Sequence, residues 1–302
     1  MPDQTPTPLD YGTAPRKPFW PRSWIVWAGL VIGFGATLVD IIIVELHSPP
    51  IGAAPTASTR SRTPGNAGNR PGSMAADAVQ IRKVIHKGNA FTVAEIDLTR
   101  ATLRLFWKKP GGDRYGRFGN IKADLERSGE RLLFATNAGI FDPSFTPCGL
   151  HVEDGRECVP LNLRSGSGNF FLKPNGVFLV DAQGARVIDA ATYGGTRADI
   201  RVAVQSGPLL VLDGRIHPAF KPGSSSTRKR SGVGILSARR VIFAISDEPV
   251  TFHAFASLFV ESLNCRNTLY LDGVISQFYI PSVEPGAESG DYAGIMAVTT
   301  RE

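Results

Sequence analysis

Hydrophobic and polar positions along most of the chain fall into short apolar runs of strand length, separated by turn dipeptides. The runs are FTVAEIDL (91–98), TLRLFW (102–107), RLLFAT (131–136), NGVFLVD (175–181), GPLLVLDG (207–214), VGILSA (233–238), VIFAIS (241–246) and TLYLDG (268–273). Their length and their Val, Ile, Leu and Phe content predict β-strands. Between them, Asp154-Gly155, Asn175-Gly176 and Asp213-Gly214 offer the positive-φ positions of tight hairpins, so much of the sheet is expected to be antiparallel. Two segments carry helical spacing instead. Asn120 to Arg127 forms a short helix, and a stronger one opens at Thr251 with Phe252, Phe255, Ala256, Phe259 and Leu263 on one face. Thr251 is placed to cap its first turn, and Asn264 lies near its end. Because this helix joins VIFAIS to TLYLDG, it predicts a β-α-β unit whose two strands run parallel if they share a sheet. The expected fold class is α+β, a β-rich mixed sheet domain with few helices.

Residues 24–44, WIVWAGLVIGFGATLVDIIIV, break this pattern with a continuous apolar run long enough to cross a bilayer. Arg16, Lys17 and Arg22 precede it, and no small-residue cleavage site follows it, so it is read as an uncleaved anchor. The positive-inside bias places residues 1–23 in the cytoplasm and the rest of the chain outside it, periplasmic or extracellular. Asp40 falls near the outer end of the span, where a carboxylate can reach the interface. Residues 45–79 are read as a disordered tether, since Ser48 to Ser73 is mostly Pro, Gly, Ala, Ser, Thr and Asn and buries too little apolar surface to fold. Residues 80–302 are left for one domain with a sizeable core.

The formal charge of +6 is a mild excess, and no long Lys/Arg run is interleaved with aromatics, so no nucleic-acid partner is expected. Arg228-Lys229-Arg230 is a tight basic cluster whose default reading is a solvated loop. Cys148, Cys158 and Cys265 lack zinc-ligand spacing, and no acidic loop has calcium-binding spacing; no metal and no cofactor is expected. Cys148 and Cys158 either bridge the two strands of a hairpin around Glu153-Asp154-Gly155 or remain small buried hydrophobes.

Candidate chemistry gathers at strand ends. No phosphate loop, dinucleotide fingerprint or G-x-S-x-G elbow is present. Asn137-Ala138-Gly139 leaves RLLFAT with an amide and a Gly that permits close backbone approach, or is a plain turn. Gln205-Ser206-Gly207-Pro208 could grip an anion or a sugar, or form a local turn. Arg230 carries a planar fork suited to phosphate. VIFAIS delivers Asp247 and Glu248, and TLYL delivers Asp272; parallel strands would bring both sites to one sheet edge. A carboxylate pair there suits glycosidic-bond cleavage, whereas Asp272-Gly273 alone could be another turn. His86, His151 and His217 have no HExxH or Cys partner and read as structural.

Taken in order, Asn137-Ala138-Gly139-Ile140-Phe141, the stretch from Gly168 to Phe178, Gln205-Ser206-Gly207-Pro208-Leu209-Leu210, Arg230 with Gly232-Val233-Gly234, Ser246-Asp247, and Leu271-Asp272-Gly273 with Ser276 resemble the phosphodiester glycosidase family, over about residues 80–300. The resemblance implies an α+β domain that hydrolyses a sugar-1-phosphodiester, frees the sugar and leaves a phosphomonoester on the other product. It implies Asp272, Asp247, Arg230 and Asn137 as catalytic residues, with Asn169, Gln205, Ser206, Gly207 and Ser276 lining the pocket and Glu248 beside them. This chain departs from the family at Ala138 and Ile140, at Ser231-Gly232, and at Val274-Ile275 after Asp272-Gly273. The expected partners are a sugar-1-phosphodiester or phosphoglycan and the membrane reached through the anchor. The competing class is a non-catalytic module that binds an envelope glycan or phosphoglycan; a third reading is cleavage of the P–O bond.

Overall fold

The computed structural model describes residues 78–195, 198–273, 275–283 and 290–300. The expected cytoplasmic tail, the apolar run at 24–44 and the tether up to residue 77 lie outside them. Ala78 and Val79, expected in the tether, belong to the ordered fold. Among the described residues no helix is long and apolar enough to cross a membrane.

In chain order the strands are β1 (Val79–His86), β2 (Asn89–Asp97), β3 (Ala101–Phe106), β4 (Leu132–Asn137), β5 (His151–Glu153), β6 (Arg156–Val159), β7 (Gly176–Asp181), β8 (Gly184–Asp189), β9 (Val202–Ser206), β10 (Leu209–Leu212), β11 (Arg215–Ile216), β12 (Ser231–Ser237), β13 (Arg240–Ser246), β14 (Thr268–Asp272), β15 (Phe278–Tyr279) and β16 (Ile295–Thr300). The helices are α1 (Phe118–Arg127) and α2 (Phe252–Ser257), the latter continuing into a π-helical turn over Leu258–Ser262. The strands form a seven-stranded sheet in the order β1-β2-β13-β12-β14-β10-β11, a four-stranded sheet β15-β4-β16-β3 and a five-stranded sheet β6-β5-β9-β7-β8.

Neighbouring strands pair antiparallel, as the turn chemistry predicted. β12 lies between β13 and β14 and is antiparallel to both, so β13 and β14 run parallel without touching. The β-α-β reading therefore holds, with one strand interposed. Asp154-Gly155 and Asp213-Gly214 make hairpin turns at positive φ. Asn175-Gly176 does not. The Asn175 amide is buried and donates to the Phe170 carbonyl at 2.9 Å, and Gly176 opens β7 against the Leu209 side chain.

Period-two alternation buries both faces of the central strands. In β13, Val241 and Phe243 face a core shared by all three sheets, while Ile242 and Ala244 face α2. In the shared core the Phe243 ring lies 5.5 Å from Phe134 and 6.4 Å from Phe178, which come from the other two sheets. Helix α2 covers the opposite face with Phe255, Ala256 and Phe259, and Thr251 caps it, its hydroxyl accepting the Ala254 N–H at 3.1 Å. The helix sits close because β12 presents glycine beneath it: a Cβ at Gly234 would meet Cys265 Sγ at 2.8 Å and the Phe259 ring at 2.9 Å. Helix α1 buries Phe118, Ile121 and Leu125 against the four-stranded sheet.

The three cysteines are free thiols. The β5–β6 register explains why Cys148 and Cys158 do not bridge. Val152 pairs with Glu157, whereas the Cys148 carbonyl accepts the Asn162 amide at 2.7 Å, four residues past Cys158. Four residues of extended chain span roughly 13 Å, well beyond disulfide reach.

Phe243→Ala is expected to lower unfolding stability by about 3–5 kcal/mol, because it leaves a cavity where three sheets meet. Urea denaturation of the variant checks this; a loss below about 1 kcal/mol would contradict a shared core.

Candidate active site

Each sheet sends one strand end to the same place. β14 ends at Asp272, β4 of the four-stranded sheet ends at Asn137, and β9 of the five-stranded sheet ends at Ser206. Ser231, at the start of β12, is the ladder partner of Asp272. Its hydroxyl joins the first two ends: the Asn137 amide nitrogen donates to Ser231 Oγ at 3.1 Å, and Ser276 Oγ donates to Ser231 Oγ at 2.9 Å. Ser276 Oγ is also 2.8 Å from the Asp272 carbonyl, which accepts from it. Ser206 ties in the third end by donating to the Leu271 carbonyl at 3.1 Å and accepting the Ile140 N–H at 3.3 Å. Asn137, Ser206, Ser231 and Ser276 are all buried, and buried polar groups of this kind hold position because a lost partner leaves an unsatisfied group.

Two glycines permit the approach. A Cβ at Gly139 would lie 2.6 Å from the Gln205 carbonyl oxygen, and one at Gly207 would lie 2.7 Å from the Phe170 carbonyl oxygen. Gln205 itself is spent on the loop beside the site. Its Oε1 accepts the N–H groups of Leu150 and Asn162, and its Nε2 donates to the Asn162 carbonyl at 2.7 Å.

Asp272 is half-buried, with its carboxylate accepting the Gly273 N–H. Arg230, one residue before the Ser231 that pairs with Asp272, has only 1% of its surface exposed. Its guanidinium lies 3.6 Å above the centre of the Phe252 ring; Nε donates to the Val250 carbonyl at 2.9 Å and Nη2 to the Ser226 carbonyl at 3.2 Å. Burial holds Arg230 below the usual arginine range, partly offset by the Tyr270 hydroxyl beside it. Burial likewise pushes the Tyr270 phenol far up, so it stays neutral. Among the described residues Arg230 has no carboxylate partner; neutral carbonyls and aromatic faces surround the cation.

The expected carboxylate pair is not formed. Asp247 does emerge at the same sheet edge as Asp272, but its carboxylate binds Lys83 Nζ at 2.8 Å and Thr92 Oγ1 at 2.8 Å, on β1 and β2. β13 and β14 are two strand spacings apart, roughly 10 Å, and Asp247 turns to the far side. Glu248 is exposed in a bend just after β13, and Asn169 is exposed at the start of a 3-10 turn (Asn169–Phe171) whose backbone lies against Gly207. In the sequence Ser231 stands out only as part of the Ser231-Gly232 departure from the family, although a hydroxyl that opens a strand opposite Asp272 is the position that joins the sheets. Asp142, just after Asn137-Ala138-Gly139-Ile140-Phe141, is a further acidic group at this edge: burial pushes the Cys148 thiol up, and the charges of Asp142 and Asp272 add to it.

The sequence profile of the phosphodiester glycosidase family matches residues 130–287, a segment that holds Asn137, Ser206, Arg230, Ser231, Asp272 and Ser276. The chain belongs to the phosphodiester glycosidase family. A curated relative in Escherichia coli K12, the uncharacterized protein YigE, is 38% identical over 178 residues, covering 59% of this chain and 69% of YigE. Among solved structures, the zebrafish N-acetylglucosamine-1-phosphodiester alpha-N-acetylglucosaminidase catalytic domain, auto-inhibited by its pro-peptide, superposes with a TM-score of 0.50 at 14% identity, over 74% of this chain and 82% of that one. At that identity the likeness is one of fold. The β-rich domain with few helices is thus the family's architecture, and the matched segment spans from just before β4 to just past β15.

The histidines lie off this site, as read from the sequence. His217 Nε2 donates to the Lys173 carbonyl at 3.0 Å and Nδ1 accepts the Ala219 N–H at 3.2 Å. His86 sits between Ser257 and Ser262, and His151 Nε2 donates to Glu153 at 3.0 Å. A cleft of about 630 Å3 lined by Trp107, Lys108, Glu153 and Arg156, among others, shares no residue with the site.

Ser231→Ala is expected to cost about 1–3 kcal/mol in chemical denaturation, since it leaves the Asn137 amide and the Ser276 hydroxyl short of a partner. Burial holds the His217 imidazole below its ordinary value, outweighing the raising effect of its bond to Lys173. The unfolded chain then binds a proton near pH 6.5 that the native site refuses, so the contribution of His217 is full above that pH and is lost as pH falls below it. An imidazole resonance of His217 titrating at pH 6.5 or above in the native protein would contradict its burial.

Proposed function

We propose that this chain is a hydrolase that cleaves the glycosidic bond of a sugar-1-phosphodiester, held at the outer face of a membrane by residues 24–44. The observation that carries the reading is Asp272 at a shared strand end, its charge reaching the same Tyr270 phenol as that of Arg230, a buried cation with no carboxylate partner among the described residues. An anionic substrate group supplies the missing counter-charge, and a phosphodiester does so next to a carboxylate that can act at the anomeric carbon.

In this mechanism Asp272 takes a proton from water as the water oxygen bonds to the anomeric carbon. The C1–O bond breaks with its electron pair staying on the phosphate oxygen, which leaves as a phosphomonoester. Phosphate departs readily, so the step asks less of a general acid than ordinary glycoside cleavage does. Arg230 stabilises the charge gathering on the leaving group. Asn137, oriented by Ser231, holds a sugar hydroxyl, and Ser276 keeps the Asp272 backbone in place. Asp247, engaged with Lys83 and Thr92, supports the sheet edge.

One observation favours the binding-module alternative: Asp247, expected to act with Asp272, is engaged by Lys83 and Thr92 instead. The two readings part on product formation. The purified full-length chain in detergent is expected to release sugar from an N-acetylglucosamine-1-phosphodiester, and Asp272→Asn to lose about 100-fold or more in kcat/KM. A folded Asp272→Asn protein with wild-type turnover would remove Asp272 from the mechanism, whereas saturable binding without product would favour the module. Oxygen-18 from labelled water is expected in the sugar; its appearance in the phosphate would show P–O cleavage instead.

A further inference from the structure

We propose that Arg228 and Arg230 form one receptor for a doubly charged phosphate, so that the site holds the phosphomonoester more tightly than the singly charged diester. The inference rests on the hydrolase reading above and extends it to a residue outside the expected site.

One carbonyl ties the backbone of Arg228 to the guanidinium of Arg230. The Val250 oxygen accepts both the Arg228 backbone N–H, at 3.1 Å, and Arg230 Nε, at 2.9 Å, while the Val250 N–H returns a bond to the Arg228 carbonyl at 2.8 Å. Residues two apart on an extended segment point to the same side. Arg230 is the fixed floor of this pair, clamped on Phe252. Arg228 is its exposed rim, with Nη1 donating only to the adjacent Thr227 carbonyl, at 2.7 Å. Its stem passes over the strand end: a Cβ at Gly273, next to Asp272, would lie 3.9 Å from the Arg228 Cβ.

Among the described residues neither guanidinium has a carboxylate partner, and the charge of Arg228 reaches Arg230, adding to the burial that holds it below its usual range. Two like charges within reach of each other repel, and an anion that meets both offsets the cost. Hydrolysis converts a diester with one negative charge into a monoester with two above its second pKa, near 6. The extra charge arises on the oxygen that leaves C1, so a second cation at the rim favours the leaving group over the bound substrate. The same preference makes the phosphomonoester a product inhibitor.

The titratable groups around the pair are Tyr270 and Asp272 on β14, Cys148 facing Asp272, Lys229 between the two arginines, and Asp247 and Glu248 at the end of β13. His253 lies on α2, and His217 is stacked on Phe220 beyond Phe252. All of these groups are the same in wild type and variant, so the comparison between the two isolates Arg228.

The test is calorimetric titration of the full-length chain, at low salt, with methyl phosphate and with dimethyl phosphate, which carries one charge at every pH used. Wild type is expected to bind methyl phosphate about tenfold more tightly at pH 7.5 than at pH 5.0, and more tightly than dimethyl phosphate. Arg228→Gln should reduce both preferences to within about twofold, while Lys229→Gln, which removes the same charge one residue along, keeps them. An Arg228→Gln protein that retains the preference, or a wild type that has none, overturns the receptor. Sugar release measured on the same preparations decides the hydrolase reading separately: release without the preference leaves an enzyme whose phosphate is held by Arg230 alone.

Discussion

Everything at the site depends on three sheets sharing one core. Phe243 touches Phe134 and Phe178 across that core, and no two of the sheets can move apart without opening it. Packed this way, β4, β9 and β14 bring their polar ends to a common seam. Water is largely excluded there, so the polar groups must satisfy one another, as Ser231, Ser276, Ser206 and Asn137 do. The geometry of the candidate site is in this sense a by-product of apolar packing: the core fixes the strands, and the strands fix the hydroxyls.

Much of the architecture was legible because its causes are local. Alternation in VIFAIS places Val241 and Phe243 on one face and Ile242 and Ala244 on the other, and Thr251 caps its helix with its own side chain. The parallel relation of β13 and β14 followed from the helix between them. What stayed hidden was non-local. Asn175-Gly176 has the composition of a hairpin, but a carbonyl five residues back captures the amide, and the division into three sheets leaves no mark on any single run.

The site divides along the same line. Asp272 and Asn137 could be picked out because each ends an apolar strand, where a polar residue sits at the edge of a core, whereas Ser276 came only from the family resemblance. Asp247 met the same criterion and went elsewhere, because the direction of its carboxylate was set by Lys83 and Thr92, more than 150 residues away in the chain. Gln205 shows a second limit: an amide at a strand end can be wholly engaged in holding a loop, and nothing in its own sequence distinguishes that from a free one. Ser231 escaped notice because its importance lies in its register opposite Asp272.

The closeness of α2 to β12 gives the far side of the sheet a hold on the site. Gly234 leaves no slack beneath Phe259 and Cys265, and about two turns back along the same helix Phe252 is the ring on which the Arg230 cation rests. Any bulk introduced under that helix tilts the surface supporting the charge without altering a single group that faces the cleft. Divergence among relatives in what they bind therefore need not be written in the residues that touch the ligand; it can accumulate on the hidden side, as small changes in how high a helix floats.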